Sequence, residues 1–262
     1  MSTLKHLLKK YFWFIVFYNK IWGISKTRNK EFIAAVNVSA DLPEKQLNVF
    51  TRHNEDGILL YLIDRVGCTD KSFIDLGSND CMNSNCANLA FHFKWNGFFI
   101  DADQQVLLRG KYIYHRHFSN CAKLFSFTHA IVTPENINGL FIQLHTGDKI
   151  DLMSIDLDGN DYFIWESISL VNPKIVVAEV QVEKGNTEYI PVNNKKVEKH
   201  EDNVSKGASP LTMQKLAYRK GYELVAVNKG GYNMFFVRKD CMKNLEPISV
   251  HEALKKTALN II

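Results

Sequence analysis

The sequence predicts an α/β protein built on a mostly parallel sheet whose last strand runs antiparallel. Three observations predict it. Three short apolar runs each end in carboxylates: Phe73-Ile-Asp-Leu-Gly-Ser-Asn-Asp-Cys81, Phe98-Phe-Ile-Asp-Ala-Asp103 and Leu152-Met-Ser-Ile-Asp-Leu-Asp-Gly159. Strand-like and helix-like stretches alternate from residue 73 to residue 219, as in parallel sheets. Two further strand-like runs, 222–227 and 232–238, flank Asn228-Lys-Gly-Gly231, a glycine turn of the kind that closes hairpins. Acids gathered on one edge of a parallel sheet matter because open α/β folds bind ligands at that edge.

The elements follow in order. Asp41-Leu-Pro-Glu44 predicts a helix start, with Asp41 as cap and Pro43 in the first turn. Residues 58–66 predict an apolar helix closed by Gly67. Strand 73–76 leads through a turn to a helix over about 84–93, then to strand 97–101 and a short helix over 104–109. His115 and His117 alternate along 112–118, which places them on one face of a strand or in a loop. Residues 130–132 predict a short strand ended by Thr133-Pro134. Strand 152–156, helix 160–169, strand 174–180 and helix 209–219 complete the alternation. The polar connection 183–206 is long for the inside of a domain, and such connections serve as binding loops or lids. The expected organisation is an N-terminal basic, aromatic helix (1–30), a helical lead-in (31–70), the sheet domain (71–245) and a C-terminal helix (246–262).

Charge is uneven. Residues 1–30 hold seven Lys and Arg and no acid, while the chain as a whole carries a net charge of +4. The remainder is therefore mildly acidic, which excludes a uniformly basic nucleic-acid-binding surface. Residues 11–18 are unbroken apolar and aromatic, too short to span a bilayer but suited to lying in its interface. Docking on the protein's own core or on a sister subunit of a homo-oligomer is the other reading. Five cysteines, with no CxxC pair and no metal-ligand spacing, point to a reducing, cytoplasmic compartment. A membrane-bound N-terminus would place the protein on the inner face of the membrane.

The candidate site is Asp75-Leu-Gly77-Ser78-Asn79, with Asp101 at the end of the next strand. Gly77 permits a sharp turn without a side chain, and an acid roughly 20 residues beyond such a turn is placed for ribose hydroxyls. A dinucleotide would need three glycines for its pyrophosphate; here Cys81 takes the third place, and Asp75 and Asp80 repel phosphate. A cationic nucleoside without phosphates fits better, and S-adenosylmethionine is one. Asp156, Asp158 and Asp161 follow the third strand. They suit general-base work on an acceptor hydroxyl, a divalent cation (Mg or Mn), or plain capping of the following helix.

Several separated strings then resemble the FkbM-type branch of the S-adenosylmethionine-dependent methyltransferases. They are Asn54-Glu-Asp-Gly-Ile58, residues 73–80 with Ser84-Asn85, Val132-Thr-Pro-Glu-Asn136, residues 154–161, Gly207-Ala-Ser209, Lys220-Gly-Tyr222 and residues 233–238. The resemblance covers about residues 52–240. It implies a Rossmann-like seven-strand sheet, with cofactor contacts at Asp75, Gly77, Ser78, Asn79 and Asp101. It also implies an adenine site near Thr133 and Glu135, and Asp156 facing the methyl group with Asp158 and Glu179 assisting. Family members commonly modify hydroxyls of sugars or glycan-like molecules, so the expected acceptor is a glycan, lipid-linked if the N-terminus binds membrane. Two departures stand out: Cys81 where the family has glycine, which would crowd the cofactor, and Val180-Gln181 where it has Tyr-Asn. A metal-dependent glycosyltransferase using Asp156-x-Asp158, and a membrane-recruited member that lost catalysis, are the alternatives.

Overall fold

The computed structural model describes residues 21, 23–191 and 207–257. The expected helix within residues 1–20, most of the 183–206 connection and the end of the 246–262 helix lie outside those residues. The described chain runs α1 (Ile24–Val38), α2 (Glu55–Val66), β1 (Ser72–Leu76), α3 (Ala87–Phe93), β2 (Asn96–Asp101) and α4 (Gln104–His117). It continues with α5 (Cys121–Leu124), β3 (Phe125–His129), α6 (Ile137–Leu144), β4 (Leu152–Ile155), α7 (Asp161–Ser167) and β5 (Ile175–Glu179). Then come α8 (Pro210–Arg219), β6 (Tyr222–Val227), β7 (Asn233–Arg238) and α9 (Val250–Lys255).

The strands form one seven-stranded sheet in the order β3-β2-β1-β4-β5-β7-β6. Neighbours are parallel from β3 to β5, whereas β7 pairs antiparallel with both β5 and β6. This is the Rossmann-like arrangement the sequence predicts. Chain order reverses between β1 and β4, which opens a crevice beyond their carboxyl ends. Each face of the sheet has its own core. Phe73, Phe99, Leu152, Val177 and Phe235 face α1 to α4. Ile74, Ile100, Met153, Val176 and Phe236 face α6 to α9.

Four local expectations are corrected. Asp41–Glu44 starts no helix; the chain there is irregular, and side chains that follow hold residues 47–51 in a strap. Asn54 Oδ1 accepts from Leu47 N, and Asp56 Oδ2 accepts from the amides of Val49, Phe50 and Thr51. The short helix at 104–109 continues to residue 117, so His115 and His117 are helical rather than on a strand. Leu107, Gly110 and Tyr114 supply its buried stripe at helical spacing. The strand expected at 130–132 is instead Phe125–His129, where Phe125 and Phe127 pack on the Phe99 and Tyr114 rings. The helix expected from about 84 begins at Ala87, too short and too late to aim a long helix at the crevice.

Candidate active site

Strand geometry assembles the site. Side chains alternate faces along a strand, so Asp75 lies on the Phe73 face, Asp101 on the Phe99 face and Asp156 on the Leu152 face. Glu179 shares the Val177 face, and Asn233 shares the Phe235 face. These are all the same face of the sheet. Register then sets their height. Leu76 pairs with Ile100 and Ile155, Ile155 with Ala178, and Glu179 with Asn233. One residue further on, Asp101, Gly77, Asp156, Glu179 and Asn233 form a row across the top of five strands. Asp75 sits one pleat below.

The turn after β1 is closed on itself. The Gly77 and Ser78 amides both donate to Ile100 O, at 2.9 and 3.2 Å. Asn79 N donates to Asp101 Oδ2 (2.6 Å), Asp80 N to Asn79 Oδ1, and Cys81 N to Ser78 O. Met82 N and Asn83 N share Asp80 Oδ1. Every amide from 77 to 83 is therefore engaged within the protein. Gly77 has φ +78°, and a Cβ there would lie 1.7 Å from the Asp156 carbonyl oxygen. Glycine is needed so that β1 and β4 can touch at their tips. That role differs from the expected cradle of amides facing a ligand.

Cys81 adopts φ +56°, the left-handed backbone for which glycine is favoured. Its side chain does not crowd the crevice. It is fully buried under α4, where a Cβ on Gly110 would meet Cys81 Sγ at 2.8 Å, and Tyr114 Oη donates to the Cys81 carbonyl. Burial pushes its thiol above the ordinary range, so it stays neutral.

A cleft of about 540 Å³ opens on the Asp75 side of the row; its walls include Arg52, Glu55, Asp75, Ser84, Asp156 and Asn233. Asp75 is 2% exposed and accepts from Ser84 Oγ (2.6 Å). Burial, together with the charges of Asp156 and Asp101, pushes its carboxyl up to about 7, against the hydrogen bond from Ser84. Asp101 accepts Asn79 N on one oxygen and Asp103 N on the other, leaving each oxygen a lone pair for a ligand hydroxyl. Glu55 accepts from His53 N and Asn228 Nδ2, both at 2.7 Å, which ties the lead-in to the β6–β7 hairpin.

Asp156 opens to solvent at the cleft floor yet is crowded by protein, and burial, then Asp158, raises its pKa. Glu179 is likewise raised, by burial and then by Asp156, so the two carboxyls favour holding one proton between them. A second hollow of about 500 Å³, bounded by Asp158, Glu179, Gln181, Glu183 and Tyr232, lies beside them.

The cation reading of Asp156, Asp158 and Asp161 is corrected. Among the described residues no three His, Cys, Asp or Glu side chains are grouped to hold a metal ion. Asp161 turns away to accept Leu157 N and Gly159 N, which closes the loop before its helix, and burial raises its carboxyl to about 7. Thr133 and Asn136 hydrogen-bond each other at the start of α6, and Glu135 is exposed there, beyond the end of β3. The structure thus brings Asp75, Asp101 and Asp156 within electrostatic reach of one another, while Thr133 and Glu135 line neither hollow. Sequence reasoning gave no role to Arg52, Glu55, Ser84, Ser154 or Asn233; all but Arg52 lie in the strings that carry the resemblance, which was the signal available.

No family model matches the chain, and no curated protein is similar to it. Solved structures similar to it include a cofactor-bound Rv0187 from MTB (12% identical, TM-score 0.47, covering 85% of this chain and 94% of that one). Others are the methyltransferase domain of bacterial CtHen1 (15%, TM-score 0.46, 71% and 98%) and an O-methyltransferase from Bacillus cereus in complex with SAH (13%, TM-score 0.44, 85% and 96%). Likeness of this degree carries no argument about substrate or chemistry.

Proposed function

We propose that the protein is an S-adenosylmethionine-dependent methyltransferase of the FkbM type that acts on a hydroxyl oxygen, with a sugar or glycan as acceptor. One observation carries this: the crevice offers carboxylates in a row and no free amide on its turn. A phosphate-bearing ligand would meet these carboxylates and find no backbone donor on the turn. A nucleoside with an ammonium and a sulfonium meets the opposite: Asp75 for the ammonium, Asp101 for the ribose hydroxyls and Asp156 near the sulfonium. The residues present therefore fit S-adenosylmethionine, and the same argument sets a nucleotide-sugar transferase aside.

When bound, the cofactor supplies an electrophilic methyl group. The chain supplies orientation and a base. With the cofactor bound, Asp156, which shares a proton with Glu179, would orient the acceptor hydroxyl toward the methyl group and take its proton. General-base catalysis of this kind contributes about 10²–10⁴-fold. The hollow beside Asp158 and Tyr232 is where the acceptor would lie, and a membrane-bound N-terminus would favour a lipid-linked glycan.

The test is calorimetry with S-adenosylhomocysteine on the wild type and on Asp101→Ala, followed by methyl transfer to simple glycosides. Heat in the wild type and none in the variant is expected. A wild type that binds nothing removes the proposal; an unchanged variant removes the assignment of Asp101.

A further inference from the structure

We propose that the outer face of α4, together with the start of α1, is a docking surface for an anionic lipid bilayer. From residue 104 to residue 124 the chain contains no Asp or Glu. On the exposed side of α4, Arg109, Lys111, His115 and Arg116 surround Leu108 and Tyr112, and Lys123 follows on α5. Leu108 is 52% and Tyr112 66% exposed, and their i, i+4 spacing stacks them on one face. None of Arg109, Lys111, Arg116 or Lys123 forms an ion pair among the described residues. A helix with basic side chains around a small apolar strip suits the headgroup region of an anionic leaflet.

The second observation is where the N-terminal chain joins. Asn29 of α1 and Asn88 of α3 exchange reciprocal side-chain hydrogen bonds (3.0 and 3.1 Å), and Phe91 of α3 packs on Tyr114 and His117 of α4. Lys26 acts electrostatically on His117, so the start of α1 meets the end of α4. Ile24 there is 65% exposed. Residues 1–20, which precede α1 in sequence, hold four lysines and no acid. In charge, that segment and the α4 face suit the same negative surface. A bilayer is favoured over nucleic acid because Leu108, Tyr112 and Ile24 are apolar, and phosphodiester backbones offer nothing to bury them.

The experiment uses the full chain and co-sedimentation with vesicles of phosphatidylcholine alone, or of phosphatidylcholine with phosphatidylserine. Binding only to the anionic vesicles is expected. The triple variant Arg109→Glu, Lys111→Glu, Arg116→Glu should weaken it by about a hundredfold or more, and Leu108→Ser with Tyr112→Ser should weaken it at unchanged salt dependence. Melting curves establish that each variant folds; should the triple not fold, Lys111→Gln with Arg116→Gln carries the test. Wild-type binding by the folded charge variants, equal binding to neutral vesicles, or displacement of vesicles by duplex DNA would each overturn the proposal.

Discussion

Asp75 is a carboxyl that folding favours in its neutral form. Its pKa rises from the ordinary 3.8 to about 7, so between those values the native state holds a proton that the unfolded chain has released. Stability contributed by this group is full below about pH 4, falls as pH rises through the window, and is flat above it. Asp75→Asn should therefore raise Tm at pH 8 by roughly 3–6 °C if about 1.4 kcal/mol is relieved, with no gain at pH 4; thermal melts at the two pH values check it. A ligand ammonium draws Asp75 into its charged form, so affinity for S-adenosylhomocysteine should rise between pH 6 and pH 8, and Asp75→Asn should flatten that dependence. At the base, Asp156→Asn should lower kcat by about 10²–10⁴-fold with affinity for S-adenosylhomocysteine, which has no sulfonium, little changed. Glu179→Gln keeps a donor toward Asp156 and should retain most of kcat, whereas Glu179→Ala should not; kinetics on the three variants separate these roles.

Among the elements, α4 seats the turn from behind. Gly110 lies against Asp80 O and Cys81 Sγ, where a Cβ would stand 2.4 and 2.8 Å away. Gly110→Ala should cost about 1–3 kcal/mol through overpacking and weaken cofactor binding as the turn shifts, measurable by denaturant melts and calorimetry. This seating also explains what the sequence hid. Strand tips ending in acids announced β1, β2 and β4, and the β-α alternation supplied β5. The end of α4 was not legible: its alternating aromatic and basic residues imitate a strand, and only the Leu107, Gly110, Tyr114 stripe records the helix. The strap before α2 was hidden too, since Asp41 and Pro43 spell a cap while the bonds from Leu47 and Val49 to Asn54 and Asp56 join residues too far apart to pattern the sequence. Cys81 looked obstructive because sequence does not say which way a side chain leaves a left-handed residue.

Across the whole molecule, period-2 alternation made the shared face of Asp75, Asp101, Asp156 and Glu179 readable, but their common height depends on register, which only the paired strands fix. A ligand seated across five strand tips should stabilise the entire sheet rather than one loop. At one hundred times its Kd, S-adenosylhomocysteine should add about 2.7 kcal/mol and raise Tm by roughly 5–10 °C, as one cooperative transition. Differential scanning calorimetry checks both the shift and the single peak.

Gly77 pressed against the Asp156 carbonyl makes one seam serve two halves of the crevice. A compound wedged there would displace the donor side and the acceptor side together, without competing for the wide mouth. Enlarging either half by mutation would likewise retune the other, so changes of acceptor preference should come from the second hollow and its rim rather than from this seam.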